Sequence, residues 1–308
     1  MKILNIVFFC FISFTVHSQI TISGLVIDAH SKKSIPYATI INTNSKHGLY
    51  TTENGTFKIS VNKNDSLHIS CIGYKPITTP VLYSANKNNS PDTFYLIPYS
   101  KDLGEVIVAP FDWSKYKEMK LGYANLKSNY HVSRGTGVEY AVYIPNTKRI
   151  ADAYIHLLKY KIEKVRLDTV AIRLHLYAAN ADDSPSIELL DSNYIEILAG
   201  KMNKVLSFDV SALKIKFPLN GIFIGIEWLG LYDTKTNSTF SKQAVEPMIG
   251  FNFKSKEGLT YERKMNSKWE LSDARKLAPS FEEEKIFQNS IPNPSFGIVI
   301  KAPKKNEK

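Results

Sequence analysis

Trp113, Trp269, Tyr177 and Glu227 are the side chains whose type and setting point to ligand chemistry. An indole or a phenol stacks on the apolar face of a sugar ring while its polar tip stays hydrated, and β-sandwich modules hold glycans in this way. Trp228 is excluded because it completes the alternating run GIFIGIEWL and belongs to packing. Tyr177 alternates with Leu174 and Leu176 and is placed on the outward face, together with Arg173 and His175. Glu227 projects opposite Ile226 and Trp228. The paired carboxylates of a glycosidase meet only in three dimensions, so a hydrolytic role stays open for it. Its plainer role is that of a carboxylate at the end of a sandwich, bound to a neighbouring lysine.

Other constellations are poorer. Asp182 and Asp183, with Glu188 beyond Ser184-Pro185, offer oxygen ligands but lack the ordered acidic positions and the glycine of an EF-hand loop. His156 and His175 are expected on neighbouring strands, yet neither has a cysteine or carboxylate at ligand spacing, and structural zinc needs four ligands. No GxSxG, HExxH, Walker or dinucleotide glycine motif occurs. No catalytic residue, metal or cofactor is therefore expected.

The elements that must position these residues are strands. In 48–74, GLYTTENGTFKISVNKNDSLHISCIGY, Phe57, Ile59 and Val61 alternate with Lys58 and Ser60, and Leu67, Ile69 and Cys71 alternate with His68 and Ser70. Glu53-Asn54-Gly55 and 62–65 are the turns between them, so the stretch reads as a β-meander. Ala38, Ile40 and Asn42 share a face after Pro36. Past residue 137, strands are expected at 138–144, 149–160, 165–178, 194–198, 205–210, 221–228, 248–253, 260–264, 268–271 and 296–300. Ile172, Leu174 and Leu176 point inward, as do Ile222, Ile224, Ile226 and Trp228. Residues 112–137 fit neither period and read as irregular.

Gly24, Val26, Asp28, Pro36, Ala38, Thr51, Asn54-Gly55, Phe57, Leu67, Ile69, Ser70 and Gly73-Tyr74 together resemble the carboxypeptidase-regulatory-like domain over about residues 20–98. The resemblance implies a small, seven-stranded, transthyretin-like β-sandwich of the kind that fronts exported Gram-negative envelope proteins, TonB-dependent receptors among them. One departure is Thr52, where the family carries an acidic residue before the turn. The resemblance implies no peptidase activity, since in metallocarboxypeptidases the zinc site lies on a separate domain, and none of the seven histidines here has a glutamate three residues on. LGEVIVAP at 103–110 is similar to the segment that joins such a domain to a receptor plug and barrel, but the 200 or so residues that follow fall short of a barrel. The later pieces IRLHLY, SPSIELL and SFDVSALKIKFPLNGIFIGIEW are similar to the domain that accompanies this module in short exported proteins, and carry no catalytic residues to transfer.

Residues 1–18 read as a secretory signal, a charged start and an apolar core too short to span a bilayer. With it removed, Cys71 is the remaining cysteine and suits a small core position. The expected organisation is a signal at 1–18, the small sandwich at 19–98, a linker and irregular segment at 99–136, and a larger, jelly-roll-like β-sandwich at 137–308, all-β throughout. The net charge of +10 is spread over dispersed lysines without interleaved aromatics, which argues against nucleic acid and allows anionic envelope partners. No membrane-spanning helix is expected after signal removal. The functional expectation is an exported, non-catalytic protein of the periplasm or outer membrane that binds a glycan, a wall polymer or an envelope protein. An accessory role in TonB-dependent nutrient uptake and a hydrolase site in the second sandwich are the alternatives.

Overall fold

The structure, a computed structural model, describes residues 20–81, 91–99, 112–124, 130–164, 169–200, 203–240, 245–255, 257, 259–265, 267–272 and 291–304. The expected signal at 1–18 and the possible strand at 106–108 lie outside them. The chain forms two β-sandwiches.

The first is built from seven strands. One sheet runs β4 (Thr56–Val61), β1 (Ile20–Asp28), β7 (Asp92–Leu96); the other runs β3 (Gly48–Tyr50), β2 (Thr39–Asn42), β5 (Ser66–Ser70), β6 (Ile77–Pro80). Alternation does what it should: Phe57, Ile59 and Val61 from one sheet meet Ile40, Leu67 and Ile69 from the other. The meander expectation is corrected, because β4 pairs with β1 while β3 and β5 both pair with β2. Period two dictates which face of a strand is buried. It does not dictate the hydrogen-bonded neighbour, and here successive strands cross from sheet to sheet. Gly55 sits at φ +73° in the turn before β4, and a Cβ there would lie 2.7 Å from the Val26 carbonyl oxygen. Thr52, in place of the family's acidic residue, bonds the Thr56 hydroxyl at 2.8 Å and accepts from the Gly55 amide through its carbonyl at 2.9 Å. Asn42 is buried and donates to Asp65 at 2.6 Å. Cys71 is a buried free thiol in this core.

The second sandwich packs an eight-stranded sheet on a seven-stranded one. The first holds β13 (Pro185–Glu188), β12 (Val170–Ala179), β16 (Ile222–Asp233), β10 (Val138–Ile144), β19 (Thr260–Lys264) and β20 (Glu270–Leu271) in that order. β14 (Tyr194–Leu198) also pairs with β12, and β17 (Ser238–Phe240) with β16. The second holds β21 (Ile291–Pro294), β18 (Val245–Ser255), β11 (Tyr154–Lys164), β22 (Phe296–Pro303) and β8 (Tyr116–Gly122). β15 (Lys204–Asp209) adds to β11 and β9 (Tyr130–Arg134) to β18. Ile172, Leu174, Leu176, Ile222, Ile224, Ile226 and Trp228 are all fully buried between the sheets, and the Trp228 indole donates to the Pro247 carbonyl at 3.1 Å.

The stretch 112–137 is not irregular. After a 3-10 turn at Trp113–Lys115, β8 runs antiparallel to β22, and β9 pairs with β18. The signal was masked because β8 is an edge strand: only Met119 and Leu121 reach the core, while Lys117, Glu118 and Lys120 stay exposed.

β12 and β16 depart from alternation in another way. From Val170 to Tyr177 and from Ile222 to Leu231 every residue is buried. The outward face of the eight-stranded sheet, expected to meet water, is covered by the first sandwich.

Candidate functional site

The covered face carries a row of charge. In register across four adjacent strands stand Arg173 on β12, Glu227 on β16, Glu139 on β10 and Arg263 on β19. Two like charges directly opposite each other destabilise a sheet, and Glu139 and Glu227 are such a pair. Each is bound from its outer side: Arg173 Nη1 donates to Glu227 at 2.8 Å and Arg263 Nε to Glu139 at 2.7 Å. His175 binds them from the next row. It stands opposite Gly225, where a Cβ would come within 3.1 Å of the His175 Cβ and 3.4 Å of a Glu139 oxygen. The bare glycine leaves the imidazole room to reach between the carboxylates, with Nε2 3.3 Å from Glu227 and 3.8 Å from Glu139.

On its other side, His175 Nδ1 lies 2.6 Å from Glu188 and 2.8 Å from the Tyr177 hydroxyl. A carboxylate at each ring nitrogen requires a proton on both, so His175 is an imidazolium. Burial opposes that charge, but Glu139 and the hydrogen bonds to Glu188 and Glu227 outweigh it and carry the pKa up to about 9. For Glu227, burial is outweighed by Arg173 and His175, and its pKa falls to about 2. Burial and Glu139 push the Tyr177 phenol well above its ordinary range. It donates to Glu139 at 2.6 Å and accepts from Arg263 at 2.8 Å. Three glutamates thus face two arginines and a protonated histidine, and the cluster is neutral.

The first sandwich completes it. The Tyr50 hydroxyl donates to Glu227 at 2.7 Å, and Arg173 Nη2 donates to the Tyr37 carbonyl. Tyr37, Tyr50, Ala171 and Leu229 form an apolar contact beside the charges. Glu53, from the turn before β4, accepts from Tyr232 at 2.6 Å and Tyr37 at 3.3 Å, and Asn193 donates to the Pro36 carbonyl at 3.2 Å and the Cys71 sulfur at 2.9 Å. Burial pushes the Cys71 thiol up to about 11, so it is neutral and a poor nucleophile.

Two clefts flank this seam. The larger, about 650 Å³, lies between β1, β3 and β4 of the first sandwich and Thr136, Leu229, Ser238 and Thr239 of the second. Six aliphatic hydroxyls line it, from Ser23, Thr52, Thr56, Thr136, Ser238 and Thr239, over the rings of Tyr50 and Phe57. Lys58 is the one charged side chain among its described lining. The smaller, about 250 Å³, opens over the ionic cluster itself and reaches Thr39, Cys71 and Ser186.

Of the residues singled out from sequence, the seam gathers Tyr177, Glu227 and Trp269 and leaves Trp113 apart. Tyr177 and Glu227 are buried, so the outward, solvated placement of Arg173, His175 and Tyr177 is corrected. Glu227 sits mid-strand on an arginine and a histidine, not at a sandwich end on a lysine. It and Glu139 are drawn together on one cation, whereas a glycosidase sets its carboxylates about 5–10 Å apart across a sugar. Trp269 packs edge-on against Tyr177 and beneath the Arg263 guanidinium, 4.2 Å from the ring centre. Trp113 lies half-buried on the seven-stranded sheet with Tyr116, Tyr154 and His156, ring centres 5.7 to 6.2 Å away. His156 and His175 lie in different sheets, so their expected adjacency is also corrected. Glu139, Arg263, Glu53 and Tyr50 were missed. Their one signal was a single charge or phenol on the polar face of otherwise greasy strands, a pattern that a solvated face produces equally well.

No curated protein matches the chain. Among solved structures it is similar to the cysteine protease and lectin-like domains of Cwp84, a surface layer associated protein of Clostridium difficile, at 10% identity and a TM-score of 0.37. That match covers 87% of this chain and 58% of the other, so the chain spans little more than half of that structure. It is also similar to a DUF3823 family protein from Bacteroides ovatus, at 9% identity and a TM-score of 0.21 over 76% of this chain and 99% of that one. At such TM-scores neither likeness bears on function. The first sandwich is different: residues 22–108 match the family model of the CarboxypepD_reg-like domain.

Proposed function

We propose that this protein is an exported, non-catalytic binding protein of the cell envelope, and that it holds a neutral glycan in the larger cleft between its two sandwiches. The observation that carries this reading is the lining of that cleft. Six hydroxyls and a single lysine over two aromatic rings give a polyol both the exchangeable hydrogen bonds and the apolar surface that its ring faces need. A volume of about 650 Å³ falls within the range of small-molecule sites, which gather at domain interfaces. The non-catalytic part rests on the ionic cluster, the one assembly that resembles acid–base machinery. Its carboxylates are each bound by cations, and Glu139, Glu227 and His175 are buried.

The test is titration calorimetry with a panel of neutral and uronic-acid-containing oligosaccharides on the mature chain and on Thr239→Trp, which fills the cleft from the edge strand β17. A neutral oligosaccharide that binds the mature chain and loses at least tenfold in affinity with Thr239→Trp supports the reading. Binding that the substitution leaves unchanged, or turnover of the oligosaccharide, overturns it. Export is tested separately, by fractionating cells and locating the processed chain.

A further inference from the structure

The smaller cleft holds an unspent donor. Arg173 uses Nη1 on Glu227 and Nη2 on the Tyr37 carbonyl, while its Nε is buried without a hydrogen-bond partner. An orphaned guanidinium N–H costs about 1–3 kcal/mol in a protein interior, and Arg173 is among the residues that line this cleft. Arg263 repeats the pattern across the opening: Nε and Nη2 are committed to Glu139 and Tyr177, which leaves Nη1 over among the described residues. Thr39 and Ser186 add hydroxyls at the walls.

The surplus of donors asks for a ligand rich in acceptor oxygens, and the charge balance says which kind. Glu139, Glu188 and Glu227 are already matched by Arg173, Arg263 and the protonated His175. A carboxylate or phosphate would bring a fourth negative charge into a region of low dielectric with no cation left to meet it. A cation would face the unspent guanidinium edges. A neutral group with hydroxyl or carbonyl oxygens satisfies the donors and leaves the balance unchanged. About 250 Å³ is far more than the roughly 30 Å³ share of one water, and it suits one sugar residue better than a chain.

We propose that this cleft is a second ligand site, for a single neutral sugar residue or a molecule of like size and polarity, with Arg173 Nε as the donor at its floor. The site is independent of the larger cleft, on the opposite side of the Tyr50–Glu227 contact, so either can fail without the other.

Saturation-transfer NMR with glucose, N-acetylglucosamine and glucuronate tests it on the mature chain, on Ser186→Trp, which closes the mouth from β13 without touching the ionic cluster, and on Thr239→Trp. Ser186→Arg serves as a second closure should the tryptophan variant fail to fold. The expected result is transfer to at least one neutral sugar in the mature chain and in Thr239→Trp. In a folded Ser186 variant the signal falls at least tenfold, and glucuronate gives none in any protein. Transfer that survives closure at Ser186 places the sugar elsewhere and overturns the proposal. So does its absence for both neutral sugars, which leaves water as the occupant. Glucuronate binding that is lost with Ser186→Trp also overturns it, by making the cleft an anion site.

Discussion

His175 makes the stability of this protein depend on pH in a direction that can be calculated. Its pKa rises from 6.5 to about 9 on folding, because Glu139, Glu188 and Glu227 outweigh the cost of its burial. A group whose pKa is raised by folding contributes its stabilisation fully below the unfolded value and loses it as pH climbs through the folded one. The window is therefore pH 6.5 to about 9. At about 1.4 kcal/mol per pH unit the stabilisation at stake is about 3 kcal/mol, a sizeable share of the roughly 5–15 kcal/mol by which a domain is stable. Urea titrations at pH 6, 7, 8 and 9 on the mature chain and on His175→Gln read it directly. Glutamine still donates one hydrogen bond and has no proton to lose in this range. The variant should start less stable at pH 6 and hold nearly level to pH 9, while the parent falls by about 3 kcal/mol. Measurement stops at pH 9 because the buried Cys71 thiol, pushed up to about 11, and the buried tyrosines start their own loss of stability beyond it. Parallel profiles for the two proteins would refute the imidazolium and the charge balance built on it.

On the acid side the same cluster runs the other way. Glu227 falls from 4.5 to about 2, so its contribution is intact above pH 4.5 and is lost as pH drops through about 2; acid unfolding of Glu227→Gln should lack that limb. Tyr50→Phe removes the one phenol that crosses from the first sandwich to Glu227 and should cost about 1.5–3 kcal/mol, the worth of a hydrogen bond to a charged group. Because that bond joins the sandwiches, calorimetry should show their unfolding separating into two transitions where the parent shows one. Ile224→Ala, at a fully buried site on β16, should cost about 2–5 kcal/mol. A loss below about half a kcal/mol in denaturant would show that the wrong face of β16 had been taken as core.

The alternation of apolar and polar residues made most strands legible. Val138–Ile144, Tyr194–Leu198 and Thr260–Lys264 fall where the pattern puts them, and Ile172, Leu174, Ile224 and Trp228 are core as read. Edge strands were harder. β8 shows the core only Met119 and Leu121, too few contacts to write a period into seven residues. The candidate site was mostly illegible. Tyr177, Glu227 and Trp269 were noticed for their chemistry, yet taken as separate residues with water around them.

The amino-acid order alone determined that this chain is all-β, that its front third is a small sandwich with a carboxypeptidase-regulatory-like pattern, and which face of each central strand is greasy. Those are local properties, set by side-chain periodicity and turn chemistry within a dozen residues. Only the tertiary structure decided that the polar face of the eight-stranded sheet is also buried, since that follows from where another sandwich docks. Arg173, Glu227, Glu139 and Arg263 are up to 124 residues apart along the chain, the separation of Glu139 and Arg263. They become one row through strand register, and the row becomes a neutral, water-poor cluster when Tyr50 and Tyr37 close over it. A charge on a strand reads the same whether solvent or a second sheet lies above it, and the difference is made by packing.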